Sequence, residues 1–398
     1  MKLNPDWLAW PQTVKLISAF GDEAYKFRFV GGAVRDHLLG IASKDVDLAT
    51  SMAPQLAIRL LKESGIRVIP TGLKHGTVTA SIDGRNFEIT TLRRDIACDG
   101  RHAKVEFTDD WSVDASRRDF TMNALYLTVD GELFDYFFGF SDIKAGHVRF
   151  IGDARARIEE DYLRILRFFR FFAYYGKVLP DAKLFAVCAE LAPKINSLSG
   201  ERIQNEMLKL LAAQDPSVAL KLMREHGILE HVCGFSCKRI FTHGVGINNV
   251  NIRLALLLLR AEINATDALK ILAERWKLSN NLKQALLILI TNVADISPAI
   301  DVAQQKQLIR RLGAETFSAL LHLKILLEPA KNYGANYNAM LKLAANWRPP
   351  VMPVSGNDLI AIGIAPGQKL GQQLYRLESI WEESGYKLRK EELLKRIE

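Results

Sequence analysis

The spacing of apolar positions changes once along this chain. Up to about residue 150, short strand-like runs alternate with helical stretches; beyond it strand signals nearly vanish and helical spacing takes over. Residues 12–20 read as a short helix leading into a strand at 25–30, and a second strand-like run holds Asp45-Val46-Asp47. Pro54–Ser64 places Leu56, Ile58, Leu60 and Leu61 at helical spacing and stops at Gly65. Val68-Ile69, Thr77–Ile82 and Asn86–Leu92 read as strands, the last two joined by Asp83-Gly84, a hairpin signal. The polar, aperiodic segment Arg93–Val105 contains Gly100 and reads as a mobile loop.

Glu159–Gly176 predicts one strong helix with Leu163, Ile165, Leu166, Phe168, Phe169, Phe171 and Phe172 apolar. Its polar residues Asp161, Arg164, Arg167 and Arg170 recur every third position. Such a row drifts by about 60° per step, so it forms an oblique stripe in which Asp161 and Arg164 are nearest neighbours. Another helix begins at Ser199-Gly200, and helical patterns follow over Pro216–His226, Asn249–Ala261, Ala265–Lys277, Asn281–Val293, Val302–Leu312, Ala314–Leu327 and Gly334–Asn346. No repeat of fixed period is evident. Pro349-Pro350 and Pro353 mark a break, Ser355–Asp358 a helix start, Gly363–Gly371 a loop, Gln372–Glu383 a long helix and the terminal KLRKEELLKRIE a charged amphipathic one. The expected fold class is α+β, a head with a small mixed sheet followed by an all-helical remainder.

At 398 residues the chain is too long for a single core and should form several units. Its formal charge of +8 suits a polyanionic partner. Cys98, Cys188, Cys233 and Cys237 are too few and scattered for a disulfide framework, so a reducing cytoplasm is expected. His231, Cys233, Cys237 and His243 raise a zinc site, but C-x₃-C lacks the usual two-residue ligand spacing. Neither a signal peptide nor a membrane span is expected.

The candidate chemistry starts in Phe27–Ala49. Gly31-Gly32 ahead of a helix lets a phosphate approach the backbone closely. Asp45 and Asp47 share one strand face, and two hard carboxylates side by side suit Mg²⁺, which completes its shell with water and substrate phosphates. Arg35 follows within the helix and Lys44 precedes the first carboxylate, so the stretch reads as a nucleoside triphosphate site. Glu88 either approaches this pair as a third carboxylate or is a solvated strand residue. Asp119 and Asn123, read as i, i+4 on one helix face beside Arg118, can hold a ribose hydroxyl and a phosphate. On the 159–176 helix a carboxylate beside a guanidinium accepts from an exocyclic amino group and donates to a ring nitrogen. Asp161 with Arg164 can therefore accept cytosine or adenine and reject uracil and guanine, with Arg167 and Arg170 left for triphosphate or primer contacts. A plain surface ion pair is the other reading of these residues.

Together these motifs resemble the class II tRNA nucleotidyltransferases, the CCA-adding enzymes and bacterial poly(A) polymerases of the polymerase-beta superfamily. The resemblance rests on G-G-x-V-R-D … D-x-D at Gly31–Asp47, R-R-D-x-x-x-N-A at Arg117–Ala124, and E-D-x-x-R at Glu160–Arg164. It is strong over 27–176 and looser after 211. It implies a head at 1–143, a neck at 144–210, a body at 211–300 and a tRNA-binding tail at 301–398. It further implies addition of CCA to the tRNA 3′ end from CTP and ATP, with Asp45 and Asp47 catalytic and metal-binding. Gly31, Gly32, Arg35, Lys44, Arg118, Asp119, Asn123, Asp161, Arg164, Arg167 and Arg170 would bind nucleotide. In the 93–105 loop Arg101 and His102 are candidate substrate contacts, and Glu201 with Arg202 would buttress the selecting helix. Phe134-Asp135 … Gly139 … Asp142-Ile143 is similar to the family's connection between head and neck. The Thr71–Thr79 run looks CCA-type, and the intact 93–105 segment argues against a CC-only enzyme. A poly(A) polymerase or A-adding partial enzyme stays open as the alternative, as does a non-catalytic RNA-binding protein. No His-Asp dipeptide occurs, so no phosphohydrolase activity is expected.

Overall fold

A computed structural model describes residues 1–43, 45–98, 103–238, 247–297, 299–328 and 334–397. They form two compact units, Met1–Asn248 with Ile271–Leu278, and Asn249–Lys270 with Ser279–Glu398.

The first unit begins with a mixed sheet of seven strands, larger than the sequence pattern implied. Its strands are β1 (Phe27–Val30), β2 (Asp47–Thr50), β3 (Arg67–Gly72), β4 (Thr77–Ile82), β5 (Arg85–Thr91), β8 (Leu125–Leu127) and β9 (Leu133–Asp135), in the order β3-β4-β5-β2-β1-β8-β9. The β8–β9 pair was not legible because its strands are three residues long. The β4–β5 turn has Asp83 at φ 48° and Gly84 at φ 80°, the left-handed pair a two-residue hairpin needs. Helices α1 (Pro11–Phe20), α2 (Gly32–Leu38), α3 (Pro54–Glu63) and α4 (Trp111–Ser116) accompany the sheet. Burial of Trp7, Phe20, Phe27 and Phe29 with edge-on and tilted ring contacts fixes β1 in the core.

The expected loop at 93–105 is instead a two-stranded ribbon, β6 (Arg93–Cys98) with β7 (Ala103–Phe107). Arg94 and Glu106 face each other across it and are exposed, so neither strand acquires the apolar alternation that would have revealed it. Arg101 and His102 lie outside the described residues.

Helices α5 (Gly139–Ala145), α6 (Ala154–Glu160), α7 (Leu163–Tyr175), α8 (Ala182–Leu191), α9 (Gly200–Leu211), α10 (Ser217–Glu225) and α11 (Ile228–Cys233) complete this unit. The helix expected across 159–176 is broken at Asp161, which is extended at φ −156°, ψ 106°. Its carboxylate turns back to accept the Leu163 amide at 3.1 Å, a side-chain bond that replaces a helical one. Phe168, Phe169, Phe171 and Phe172 of α7 are buried as the spacing predicted. At the connection into α5, Asp135 accepts from the amides of Gly139 and Phe140, both at 2.9 Å. A Cβ on Gly139 would meet the Thr121 carbonyl oxygen at 2.2 Å, so only glycine permits this approach.

Among its described residues the second unit has helices and no strand. Its helices are α12 (Val250–Leu259), the first half of α13 (Ala265–Trp276), α14 (Asn280–Asn292), α15 (Val302–Leu312), α16 (Ala314–Leu327), α17 (Gly334–Asn346), α18 (Gly356–Ala361), α19 (Gln368–Glu383) and α20 (Lys390–Leu394). Leu254, Leu256, Leu257 and Leu258 of α12 are buried, so this apolar run is a core helix. The expected loop at 363–371 ends earlier, because α19 already starts at Gln368, and the charged terminal helix is only Lys390–Leu394. Val354, Leu359, Leu377, Trp381 and Leu393 form a separate apolar cluster there.

Candidate active site

Sheet register assembles the first wall of the site. In the antiparallel β1–β2 pair Val30 lies opposite Asp47, so the Gly31-Gly32 turn leaves the sheet beside that carboxylate. Gly31 adopts φ 71°, ψ −120°, a conformation that disfavours any side chain. The parallel β2–β5 pair sets Leu48 against Ile89, which brings Glu88 next to Asp47. On the other side Val30 pairs with Tyr126 of β8.

Asp45 and Asp47 are exposed with Val46 buried between them, the alternation expected of one shared face, although β2 begins only at Asp47. The Asp47 carboxyl is pushed up to about 6 by burial within the surrounding wall, then by Glu88 and Asp45, with Arg118 opposing. Asp47 is open to solvent at the cavity mouth, yet its closest charged neighbours are mostly acids. That donor set suits a divalent cation. Among the described residues no three His, Cys, Asp or Glu side chains converge as a complete metal site, so Glu88 influences Asp47 without closing a cage, and substrate oxygens would have to fill the shell. The same holds for His231, Cys233 and Cys237; Cys233 and Cys237 are buried thiols outside any disulfide, and His243 lies outside the described residues.

A cavity of about 460 Å³ opens over this wall and is closed by the helices that follow. Gly31, Gly32, Arg35, Asp47, Arg118, Asp119, Asn123, Asp161, Arg164 and Arg167 line it, together with Leu163, Phe171 and Arg202. Ten of the thirteen predicted site residues thus meet in one place. Asp45 and Arg170 are not in the lining, and Lys44 lies outside the described residues. Arg164, Arg167 and Phe171 follow i, i+3, i+7 spacing, so Phe171 was findable on the helix face. Arg202, expected only to buttress, reaches the cavity from α9.

Most of these side chains hold one another. Asp119 and Asn123 are not on an α-helix, as their spacing suggested, but in a turn entering a short 3-10 segment, Thr121–Asn123. Asp119 Oδ1 accepts from the Phe120 amide at 2.9 Å and from Asn123 Nδ2 at 3.0 Å, bonds that outcompete the helical ladder. Arg167 Nε donates to Asp119 Oδ2 at 2.8 Å. Burial pushes Asp119 up, but the Arg167 charge and the Asn123 amide hold its carboxyl below the usual carboxylate range. Arg35 is buried, pairs with Asp36 at 2.8 Å, donates to Asn123 and lies over the Tyr175 ring at 4.5 Å. Arg170 meets Glu206 at 2.8 Å and Arg167 meets it at 3.6 Å.

The alternative reading of Asp161 and Arg164 as a plain ion pair does not hold, because the helix breaks between them. Arg164 Nη1 pairs with Glu160 at 2.6 Å and donates to the Arg157 carbonyl at 2.8 Å. Asp161 Oδ2 accepts from Arg202 Nη2 at 2.7 Å. Each is oriented by a partner of its own, and both line the same cavity. A carboxylate offers about four acceptor positions and a guanidinium five donors, so both keep capacity for a ligand.

Comparison with known proteins follows this geometry. The poly A polymerase head domain family matches residues 27–149, and the family described as a probable RNA and SrmB-binding site of polymerase A matches residues 180–233. The mitochondrial CCA tRNA nucleotidyltransferase 1 of Mus musculus is 37% identical over 392 residues, covering 96% of this chain and 88% of the mouse protein. This chain belongs to the CCA tRNA nucleotidyltransferases. A CCA-adding enzyme of Leuconostoc mesenteroides is 31% identical over 93% of this nucleotidyltransferase and 90% of its own length. The crystal structure of the Bacillus stearothermophilus CCA-adding enzyme in complex with CTP superposes with a TM-score of 0.78 at 26% identity, over 96% of this chain and 94% of that one. Membership of an enzyme family sets aside the non-catalytic reading.

Proposed function

We propose that this chain adds C, C and A to the tRNA 3′ end from CTP and ATP, without a nucleic-acid template, releasing pyrophosphate at each addition. One observation carries the reading: the Asp47 and Gly31-Gly32 wall and the Asp161 and Arg164 pair open into the same cavity. The names of its relatives and the CTP bound by the Bacillus stearothermophilus enzyme point the same way.

Asp45 and Asp47 would hold Mg²⁺. When bound, that ion lowers the pKa of the primer 3′-hydroxyl and balances the charge of the departing pyrophosphate. The Gly31 turn lets the triphosphate approach the backbone, and Arg118 faces the same turn. Asp161 accepts from the exocyclic amino group of cytosine or adenine while Arg164 donates to the adjacent ring nitrogen; uracil and guanine present the reverse order and leave both groups unsatisfied. Arg35, Arg167 and Arg170 are given a changed role, since their commitments to Asn123, Asp119 and Glu206 fit them to hold the cavity walls. Asp119 and Asn123 face the ribose. On this reading 1–143 is the catalytic head, 144–210 the base-selecting neck, 211–300 the body and 301–398 the tail, with the basic helical regions meeting tRNA mainly through phosphates.

No helix among the described residues is long and apolar enough to cross a membrane. The cytoplasm is the proposed compartment, supported by the reduced thiols of Cys188 and Cys233. The match to a poly A polymerase head keeps a single alternative, A-only addition. Sequencing the products formed on tRNA ending in its discriminator base, with each nucleotide offered singly and together, separates the two. CCA made only with both CTP and ATP is expected; long A tails or independence from CTP would overturn the reading.

A further inference from the structure

Among the cavity arginines, Arg118 is anchored to side chains of β8 and α4. Its Nε donates to the Tyr126 hydroxyl at 3.1 Å and its Nη2 to Asp114 Oδ2 at 3.1 Å, while Tyr126 donates to that same oxygen at 2.8 Å. The three groups form a closed triangle. Two sides of the guanidinium are thereby used, and Nη1 is the end that lies 3.7 Å from where a Cβ on Gly31 would stand. The free end of Arg118 is therefore aimed at the glycine turn, in the cavity that Asp47 also lines.

Asp114 is wholly buried and Tyr126 is too, so neither touches a ligand. Tyr126 is held by its β8 register opposite Val30, and by the edge of Trp111 at 5.4 Å. Asp114 is held by α4, and its other oxygen accepts from Arg117 Nε at 2.8 Å and from the Arg93 amide at 3.3 Å. Both oxygens of this carboxylate are thus doubly engaged, by the side chains of Arg117, Arg118 and Tyr126 and by one backbone amide, which fixes its orientation.

We propose that Asp114 and Tyr126 are positioning residues for nucleotide addition: they hold Arg118 rigidly so that it meets the triphosphate of whichever nucleotide is bound. The proposal rests on the reading of the cavity as a triphosphate site. Because the triphosphate is common to CTP and ATP, the effect is blind to the base, unlike that of Asp161 and Arg164.

The test is a double-mutant cycle on the full chain with tRNA saturating. Tyr126→Phe removes one hydroxyl and is expected to raise KM for CTP and ATP alike by about 3- to 10-fold, the scale of one hydrogen bond, with discrimination against UTP unchanged. Inorganic pyrophosphate should inhibit this variant correspondingly less well. Arg118→Ala should raise KM further, and adding Tyr126→Phe to it should then have no effect. Asp114→Asn supplies the same cycle should Tyr126→Phe lose its fold. If Arg118→Ala raises KM but Tyr126→Phe adds its full effect on top, the positioning role is overturned while the triphosphate reading survives. If Arg118→Ala leaves both KM values unchanged, the triphosphate reading fails and the positioning role with it.

Discussion

The two walls of the cavity treat charge in opposite ways. On the sheet side, Asp47 has Asp45 and Glu88 for neighbours, and its carboxyl is pushed up to about 6. On the helical side each carboxylate has an arginine: Asp119 with Arg167, Asp161 with Arg202, Glu160 with Arg157 and Arg164, Glu206 with Arg167 and Arg170. Acids that outnumber the counter-charge beside them make a wall that is completed only by what binds it. Acids that are already paired make a wall fixed in advance, as a surface that reads a base in place of a template strand must be. Under the proposed function, the chemistry falls to one side and the choice of nucleotide to the other.

The largest expected effect comes from removing the unfinished side's acid. Asp47→Ala should lower kcat by roughly 1,000-fold or more, the scale on which electrostatic stabilisation of a transition state is lost, with the melting temperature preserved or raised. Next is the fixed side's central acid. Glu206→Ala would leave Arg167 and Arg170 without their shared partner, and should cost about 3 kcal/mol of stability in chemical denaturation, the lower end for breaking a buried pair because Arg167 is partly solvated. Arg164→Ala should reduce the preference for CTP over UTP by roughly 10- to 100-fold, equivalent to one charged hydrogen bond, with selection of ribose over deoxyribose kept. Unchanged discrimination against UTP would refute the base-reading role.

The smallest effect is a matter of pH. A carboxyl raised from 3.8 to about 6 in the folded protein destabilises it: the penalty grows between those values and is complete above the upper one. In EDTA, Asp47→Asn should therefore melt higher than the parent above pH 6, and the gap should close as pH falls toward 4. Equal melting temperatures at pH 7.5 would mean that the acids do not strain this wall.

Much of this contrast was legible in the sequence. The Gly31-Gly32 turn and the Asp45–Asp47 alternation are local patterns, and both survive in the structure, the first between β1 and α2 and the second at the start of β2. The α7 helix showed itself through its run of buried phenylalanines, and α15, α16 and α17 through period alone. What stayed hidden has physical causes. Asp161 sits in a stretch of strong helical propensity, and only its side chain's competition for the Leu163 amide breaks the helix. The partners that fix the helical wall are far apart in sequence: Arg202 reaches Asp161 across 41 residues and Arg167 reaches Asp119 across 48. No periodicity encodes such pairings. Asp114 and Tyr126 were missed for the same reason, since a buried carboxylate under a sheet looks like any helix-start acid until β8 is laid beside β1.

The division of labour is tested most directly by nucleotide binding without catalysis. CTP and UTP would be titrated into the protein by calorimetry, once with Mg²⁺ and once with EDTA. A helical wall fixed in advance predicts that affinity for both falls in EDTA while the ratio between them is retained. Loss of the ratio together with the affinity would contradict it, because the base-reading surface would then exist only after the acidic wall is filled.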